Sequence, residues 1–243
     1  RRYFRKLDRY SANLALMADI SMMTLVGKLK FKESLSGRLG DVLSHIYMTS
    51  AMLKRYHDEG APTADQPLLA WAFHDSVHRI EEALSAALRN FPIRPIGWLM
   101  WALIFPFGRR AEAPGDRLSR RVAATLMSPN EARDRLAQGV FLTPCENNPG
   151  GRIASYLTKA VMAEPVERKF LKALKTKGIE ALTFPAQLDE AVAEGVITQD
   201  ERTLLEELRA ITLDTITVDD FDPHELRAAS YYDRQDRQPQ QVA

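Results

Sequence analysis

The sequence predicts an all-α protein: a bundle of three long helices, followed by several shorter helices and a disordered tail. Three observations lead to this fold class. Apolar residues recur at three- and four-residue steps over residues 7–88, as they do on one face of a helix. Ser, Thr, Asp and Pro stand where helices would begin. No stretch alternates apolar and polar residues over a useful length, so we expect no strand.

Each of the three long helices is predicted from one apolar stripe. The first two helices should have about 25 residues each and a short connection, which favours an antiparallel pair. The third should be capped near Thr63 or Asp65, carry Pro67 in its first turn and stop before Pro92. The three stripes are Leu7, Tyr10, Leu14, Met17, Ser21 and Leu25; Leu35, Leu39, Val42, Leu43, Ile46 and Leu53; and Trp71, His74, Ile80, Leu84 and Leu88.

The rest of the chain divides by composition. We predict a long-helix bundle over 1–91, an apolar segment bracketed by prolines over 92–115, a region of shorter helices over 116–229 and a flexible tail over 230–243. Two helix starts in the third region resemble capping boxes: Ser128 followed by Glu131, and Thr198 followed by Glu201. Residues 142–151 are predicted to be a loop whose two glycines begin the next helix.

Composition is that of an ordinary globular protein, with 45% hydrophobic and 27% charged residues. The single cysteine cannot form an intrachain disulfide, which favours a reducing, cytoplasmic compartment. The first residue is Arg1 and helical periodicity begins at once, as expected for the carboxy-terminal piece of a longer chain. Basic residues are not interleaved with exposed aromatics, so we expect no nucleic-acid partner.

Charge is distributed unevenly although the net charge is +1. Residues 1–60 carry 11 basic and 6 acidic side chains, a balance of +5, whereas residues 187–226 carry 2 and 12, a balance of −10. Such a division could dock one end on the other or each end on a partner, or it could reflect two solvated helical faces.

Few residues suggest chemistry. His74 and His78 lie one helical turn apart, with Glu81 and Glu82 a further turn on, a spacing that can present metal ligands. Histidines in this arrangement are more often solvent-exposed and unliganded, so we predict no metal site.

Two further candidates also favour a structural interpretation. Cys145 has an acidic neighbour and no nearby histidine, which favours a structural role over a nucleophilic one. The acidic group Asp219, Asp220, Asp222 and Glu225 lacks calcium-loop spacing, and Asp222 before Pro223 is simpler as a helix cap. We therefore assign no catalytic residue.

The apolar run of 96–107 is too short to span a bilayer, which needs roughly 17–25 residues. Two interpretations remain. Its aromatic residues could cap the bundle or pack on another domain, or they could enter a membrane interface with basic residues near the headgroups. The candidate contact residues are Trp98, Trp101, Phe105, Phe107, Arg109 and Arg110.

Eight short stretches, in order along residues 7–226, resemble the carboxy-terminal region of bacterial long-chain acyl-CoA dehydrogenases. They are LDRYSANLALMAD (7–19), RLGDVLS (38–44), LKRY (53–56) with DEG (58–60), FPFGR (105–109), FLTP (141–144), NPG (148–150) and VDDFDP (218–223). The order of these stretches is more specific than any single motif.

The resemblance implies a flavoenzyme that oxidises long-chain acyl-CoA to trans-2-enoyl-CoA in fatty-acid β-oxidation, with FAD as the hydride acceptor and a glutamate as the base. That glutamate and the flavin-contacting positions lie upstream of the matched region in the family, so no residue is carried over. The resemblance also implies a homodimer, a dehydrogenase core upstream in the same chain, and a helical domain that supports this core and faces the inner side of the membrane.

A second hypothesis belongs to a different class of protein: a free-standing helical adaptor that binds a membrane surface or a partner helix. An upstream reading frame that encodes a dehydrogenase core would favour the first hypothesis over the second.

Overall fold

The computed structural model describes residues 1–145, 147–177 and 181–217. These residues form helices and no named strand, as the all-α prediction requires. The helices are α1 (Arg2–Leu25), α2 (Glu33–Asp58), α3 (Gln66–Arg89), α4 (Arg94–Ile104), α5 (Asp116–Leu126), α6 (Glu131–Leu136), α7 (Pro149–Lys177), α8 (Phe184–Ala193) and α9 (Gln199–Ile216). The tail predicted over 230–243 and the acidic group that begins at Asp219 lie outside the described residues.

The chain folds as two compact units, Arg1–Gln138 and Gly139–Ala243. The first unit contains the three long helices, the apolar segment 92–115 and helices α5 and α6. Its hydrophobic core joins α1, α2, α3 and α4, and burial of each large side chain there contributes about 1.5–3 kcal/mol. Its fully buried members are Met17, Val42, Phe73, Ile80, Leu84, Ala87 and Met100.

The three long helices are confirmed, and most of the predicted stripe residues are buried. Leu43 was assigned to the wrong face, since it is 58% exposed beside the exposed Tyr47 and Met48. The connection between α1 and α2 is a 3-10 turn, Val26–Phe31.

The start of α3 differs in one detail from the prediction. Pro67 lies in the first turn as expected, and Asp65 occupies the capping position, but its carboxylate caps nothing. Instead it accepts two hydrogen bonds from Arg135, at 3.0 and 2.7 Å. This bidentate pair fastens the end of α6 to the start of α3.

Helix α6 begins two residues later than the predicted capping box. Asn130, and not Ser128, is its cap: Asn130 Oδ1 accepts from the backbone N–H of Arg133 at 3.0 Å. The Asn130 amide also donates to the Ser128 carbonyl at 2.8 Å, while the Ser128 hydroxyl donates to Ala124 O. Asparagine caps a helix at least as well as serine, and the prediction of Ser128 as the cap is wrong.

In the second unit, the expectation of short helices is wrong for α7, which has 29 residues. Pro165 lies inside it, although an interior proline removes one backbone hydrogen bond and usually ends or kinks a helix. Packing outweighs this cost, since Ala163 and Phe170 are buried on either side of Pro165. The core of the unit contains Phe170, Ala173, Leu188, Ala191, Val196, Ile197 and Leu205.

Part of the acidic segment pairs with basic side chains of α7. From one end of the helix to the other, Arg152 lies 3.5 Å from Asp214, Lys159 lies 3.2 Å from Glu207 and Lys169 lies 3.0 Å from Glu201. These pairs align α9 antiparallel to α7. Each is exposed and contributes at most about 1 kcal/mol, so they select the pairing of the helices more than they stabilise it.

The capping box at Thr198 is confirmed. Thr198 Oγ1 accepts from the backbone N–H of Glu201 at 3.2 Å, and the Glu201 carboxylate accepts from the backbone N–H of Thr198 at 2.9 Å. The hydrogen bond from the Thr198 N–H, together with Lys169, holds the pKa of Glu201 below its usual range.

We expect Thr198→Ala to destabilise α9 by about 1 kcal/mol, the usual cost of a lost cap. Thr203→Ala is the matched control, because its hydroxyl only donates to the Gln199 carbonyl within the same helix. Hydrogen exchange of the α9 amides measures both. Equal protection in the two variants would show that the box does not hold this helix start.

Candidate functional site

The carboxylate of Glu81 lies at the centre of the first unit and is 4% exposed. Its Oε1 accepts from the Tyr10 hydroxyl of α1 at 2.7 Å. Its Oε2 accepts from the backbone N–H groups of Arg110 and Ala111, each at 2.9 Å. Three donors therefore hold a buried charge that would otherwise be strongly destabilising.

Two side chains near Glu81, those of Tyr10 and His78, have defined hydrogen-bonding roles. Burial, followed by the hydrogen bond to Glu81 and its negative charge, raises the pKa of Tyr10 above the usual range, so the phenol stays protonated and donates. His78 Nδ1 lies 3.0 Å from the Ala111 carbonyl, which can only accept, so Nδ1 carries a proton. The His78 Nε2 atom lies 3.5 Å from Glu82.

The predicted group of His74, His78, Glu81 and Glu82 does not converge on one point. Glu81 faces Tyr10 and the backbone of 110–111, and His78 faces Ala111 and Glu82. Within the described ranges, no three His, Cys, Asp or Glu side chains are placed to share a cation. That this chain holds no metal remains a prediction.

Cys145 is exposed and pairs through its backbone with Asn148 in an isolated bridge. The Asn148 amide donates to the carbonyls of Phe141 and Thr143, each at 3.0 Å, and so closes the loop. Gly151, in the first turn of α7, lies against this loop: a Cβ there would be 2.4 Å from Thr143 O. The loop backbone therefore fills the space beside Gly151.

Helix α4 has two apolar sides. Met100 and Ile104 are buried in the core, together with Phe105 directly after the helix, and Trp101 is half-buried with its ring 5.2 Å from that of Phe105. The opposite side is exposed and equally apolar: Trp98 is 71% exposed, and Phe107 beyond the helix is 76% exposed. The exposed apolar side consists of Pro95, Trp98, Leu99, Ala102, Leu103 and Phe107, and we call it the α4 outer face.

Gly97 fixes which side of α4 is exposed. A Cβ at this position would lie 2.9 Å from the Leu88 carbonyl and 3.2 Å from Phe91 Cβ, so only glycine permits this approach to the end of α3. At the other end, Arg9 of α1 donates to the Ile104 carbonyl at 3.0 Å. The predicted contact residues are thus separated, with Trp98 and Phe107 outside and Trp101 and Phe105 inside.

The two arginines after α4 differ in their surroundings. Arg109 lies 3.9 Å from Glu82, whereas the Arg110 guanidinium lies over the Phe107 ring, 4.7 Å from its centroid.

No helix in the described part of the chain is both long and apolar enough to cross a membrane.

A basic pocket that the sequence analysis missed lies beside Arg110. Two adjoining hollows of about 320 and 390 Å³ share Arg2, Lys6 and His74, and the larger one is also lined by Arg110. The signal in the sequence was the four-residue step from Arg2 to Lys6, which places two cations on one side of α1. Burial, then the charges of Lys6 and Arg2, lower the pKa of His74.

A separate cleft of about 340 Å³ lies between α2, α3 and α6. Its walls are mostly apolar, with Met52, Leu68 and Leu136 among them, and the Arg135–Asp65 pair stands at its rim. Arg55 is held there as well, by Glu59 at 2.7 Å and by a hydrogen bond to the Arg135 carbonyl. The cations of this cleft are therefore already neutralised.

The model of one protein family, the bacterial-type carboxy-terminal domain of acyl-CoA dehydrogenases, matches residues 1–221 of this chain. The chain therefore belongs to this family. No solved structure matches it.

Loss of the central carboxylate should destabilise the first unit. We expect Glu81→Ala to lower the free energy of unfolding by about 3 kcal/mol, since it leaves the hydrogen-bond donors of Tyr10, Arg110 and Ala111 without their acceptor. Glu82→Ala is the matched control and should cost less than about 1 kcal/mol, because Glu82 is an exposed partner of His78 and Arg109.

Urea unfolding followed by tryptophan fluorescence measures this difference, because Trp71, Trp98 and Trp101 all lie in the first unit. Similar free energies for the two variants would contradict the structural role of Glu81.

Proposed function

We propose that this member of the family is the non-catalytic carboxy-terminal helical domain of a FAD-dependent enzyme that oxidises long-chain acyl-CoA to trans-2-enoyl-CoA in fatty-acid β-oxidation. The observation that carries the proposal is the family match over residues 1–221. The surroundings of Glu81 support the non-catalytic role, since this buried carboxylate already accepts from three donors and does not face a cavity as a base would.

The glycine pair of the chain does not fit a flavin phosphate. Such a site needs open space beside the glycine backbone, and at Gly151 the Thr143 carbonyl occupies that space. We therefore assign no step of the reaction to a flavin held by the described residues. In this proposal the dehydrogenase core, upstream in the same chain, binds FAD and the acyl-CoA.

We further propose that the α4 outer face makes a peripheral contact with the inner side of the membrane. An exposed helical side with Trp98, Leu99 and Leu103, preceded by Arg94 in the first turn, is typical of interfacial insertion, and Trp is favoured at that depth. Long-chain acyl-CoA partitions into membranes, so an enzyme placed there meets its substrate.

A homodimer or a contact with the dehydrogenase core would need another surface. The exposed side of α2 offers one, with Leu43, Tyr47 and Met48. These three residues belong to α2, so such a contact would use none of the residues of the α4 outer face.

The first experiment compares this chain with the intact protein that contains it. We expect the chain alone, mixed with FAD and passed through gel filtration, to retain no flavin absorbance and to leave palmitoyl-CoA unchanged. The intact protein should elute with flavin and reduce an acceptor dye. Stoichiometric flavin on the chain alone would refute the non-catalytic role, and an intact protein without flavin would refute the assignment to FAD.

The second experiment tests the α4 outer face with Trp98→Ser combined with Leu103→Ser. Both side chains are exposed, so helicity and melting should be unchanged, while binding to anionic vesicles should fall at least tenfold, as expected when two apolar anchors of about 1.5 kcal/mol each are removed. Met22→Ser with Met23→Ser is the matched control at two exposed apolar residues of α1 and should bind as the wild type does. Equal vesicle binding by all three proteins would refute the membrane contact.

A further inference from the structure

The basic pocket has an excess of positive charge that nothing in the first unit neutralises. In the described part of the chain, Arg2, Lys6 and Arg110 have no carboxylate within ion-pair distance, and the acidic side chain at the rim is Glu112. In the larger hollow, these three cations against one carboxylate leave a local charge of +2, and Arg1 adds a further cation at the smaller hollow. This contrasts with the apolar cleft, where each arginine has an acidic partner.

His74, which also lines the pocket, is subject to the positive charge of the same cations. His74 is half-buried, and after burial itself the nearby Lys6 and Arg2 lower its pKa. Burial and these two cations therefore favour the neutral imidazole. A bound anion would offset the repulsion from the cations, and the ring could donate a hydrogen bond to it.

The pocket adjoins the α4 outer face. Arg2, Lys6 and Arg9 follow one another at four- and three-residue steps and so share one side of α1. The Arg9 side chain donates to the carbonyl of Ile104, the last residue of α4, at 3.0 Å. The end of α4 therefore lies beside this row of three cations on α1. Arg110 joins the two surfaces directly, because it lines the pocket and lies over the exposed ring of Phe107.

We propose that this pocket binds the phosphate of an anionic phospholipid headgroup while the α4 outer face lies among the acyl chains. The proposal rests on the membrane contact proposed above. The chemistry fits on both sides of the interface: a phosphate diester presents oxygens that arginine, lysine and imidazole can share, and the apolar residues begin at Phe107, directly beside Arg110. A soluble phosphate ester would accept hydrogen bonds from the same donors but would not contact the α4 outer face.

The test measures partition onto two kinds of vesicle, one of phosphatidylcholine alone and one of equal parts phosphatidylcholine and phosphatidylglycerol. Each cation near an anionic surface changes binding about fivefold. We expect Lys6→Gln to weaken binding to the anionic vesicles about fivefold and Arg2→Gln with Lys6→Gln about 25-fold, with binding to the neutral vesicles unchanged. Lys6→Arg should keep the binding.

Lys54→Gln is the matched control, since it removes one lysine charge from the exposed side of α2, outside the pocket. It should leave both partitions unchanged. Equal losses for Lys54→Gln and Lys6→Gln would overturn the headgroup site, because they would indicate general charge attraction. Loss on neutral vesicles in Lys6→Gln would overturn it too, because the choline cation offsets the phosphate of phosphatidylcholine and the proposal requires a headgroup with a net negative charge.

A second measurement separates the two sources of phosphate. The His74 ring signals, followed by NMR, should shift when short-chain phosphatidylglycerol is added and much less with the same concentration of glycerol 3-phosphate. Stronger binding of glycerol 3-phosphate would assign the pocket to a soluble ligand and overturn the proposal. The membrane contact itself is judged independently by the Trp98 and Leu103 variant, so failure of one proposal is distinguishable from failure of the other.

Discussion

The buried charge of Glu81 is the constraint on which the rest of the first unit depends. A carboxylate in the interior is tolerated only with enough donors, and here they come from α1 and from the segment after α4. Residues 110–111 must therefore lie against α3. Gly97, near the start of α4, lies against the Leu88 carbonyl at the end of α3, so the segment that contains α4 is held at both ends. The direction of the α4 outer face follows from these two contacts.

The helical architecture could be predicted because it depends on local patterns. The stripe from Leu7 to Leu25 identifies α1, and Pro67 and Pro92 mark the limits of α3. The role of Glu81 could have been suspected, since it lies four residues after Val77 and three before Leu84, both of them buried. Its partners could not be predicted, because Tyr10 is 71 residues away in sequence and the other two donors are backbone groups, which carry no signal of residue type.

The errors of the sequence analysis share a physical cause, which is competition between a local preference and packing. Pro165 would end an isolated helix, yet α7 continues through it because Phe170 and Ala173 bury their side chains against α8 and α9. Asp65 has the side chain of a helix cap, yet it pairs with Arg135 because a bidentate pair to a charged donor is stronger than a cap. In both cases the deciding contact lies far away in sequence.

The core of the first unit does not use the α4 outer face. Met100 and Ile104 already supply the contact of α4 with the core, and Gly97 supplies the close approach, so polar residues at positions 98, 99 and 103 would fold equally well. An 11-residue helix is about 16 Å long and cannot cross a bilayer, so the proposed membrane contact of its apolar side is peripheral. The adjoining cations favour an anionic membrane over a protein partner at this surface. A protein partner would need carboxylates placed opposite Arg2, Lys6 and Arg110, whereas an anionic membrane offers apolar chains and phosphates at every position along its surface.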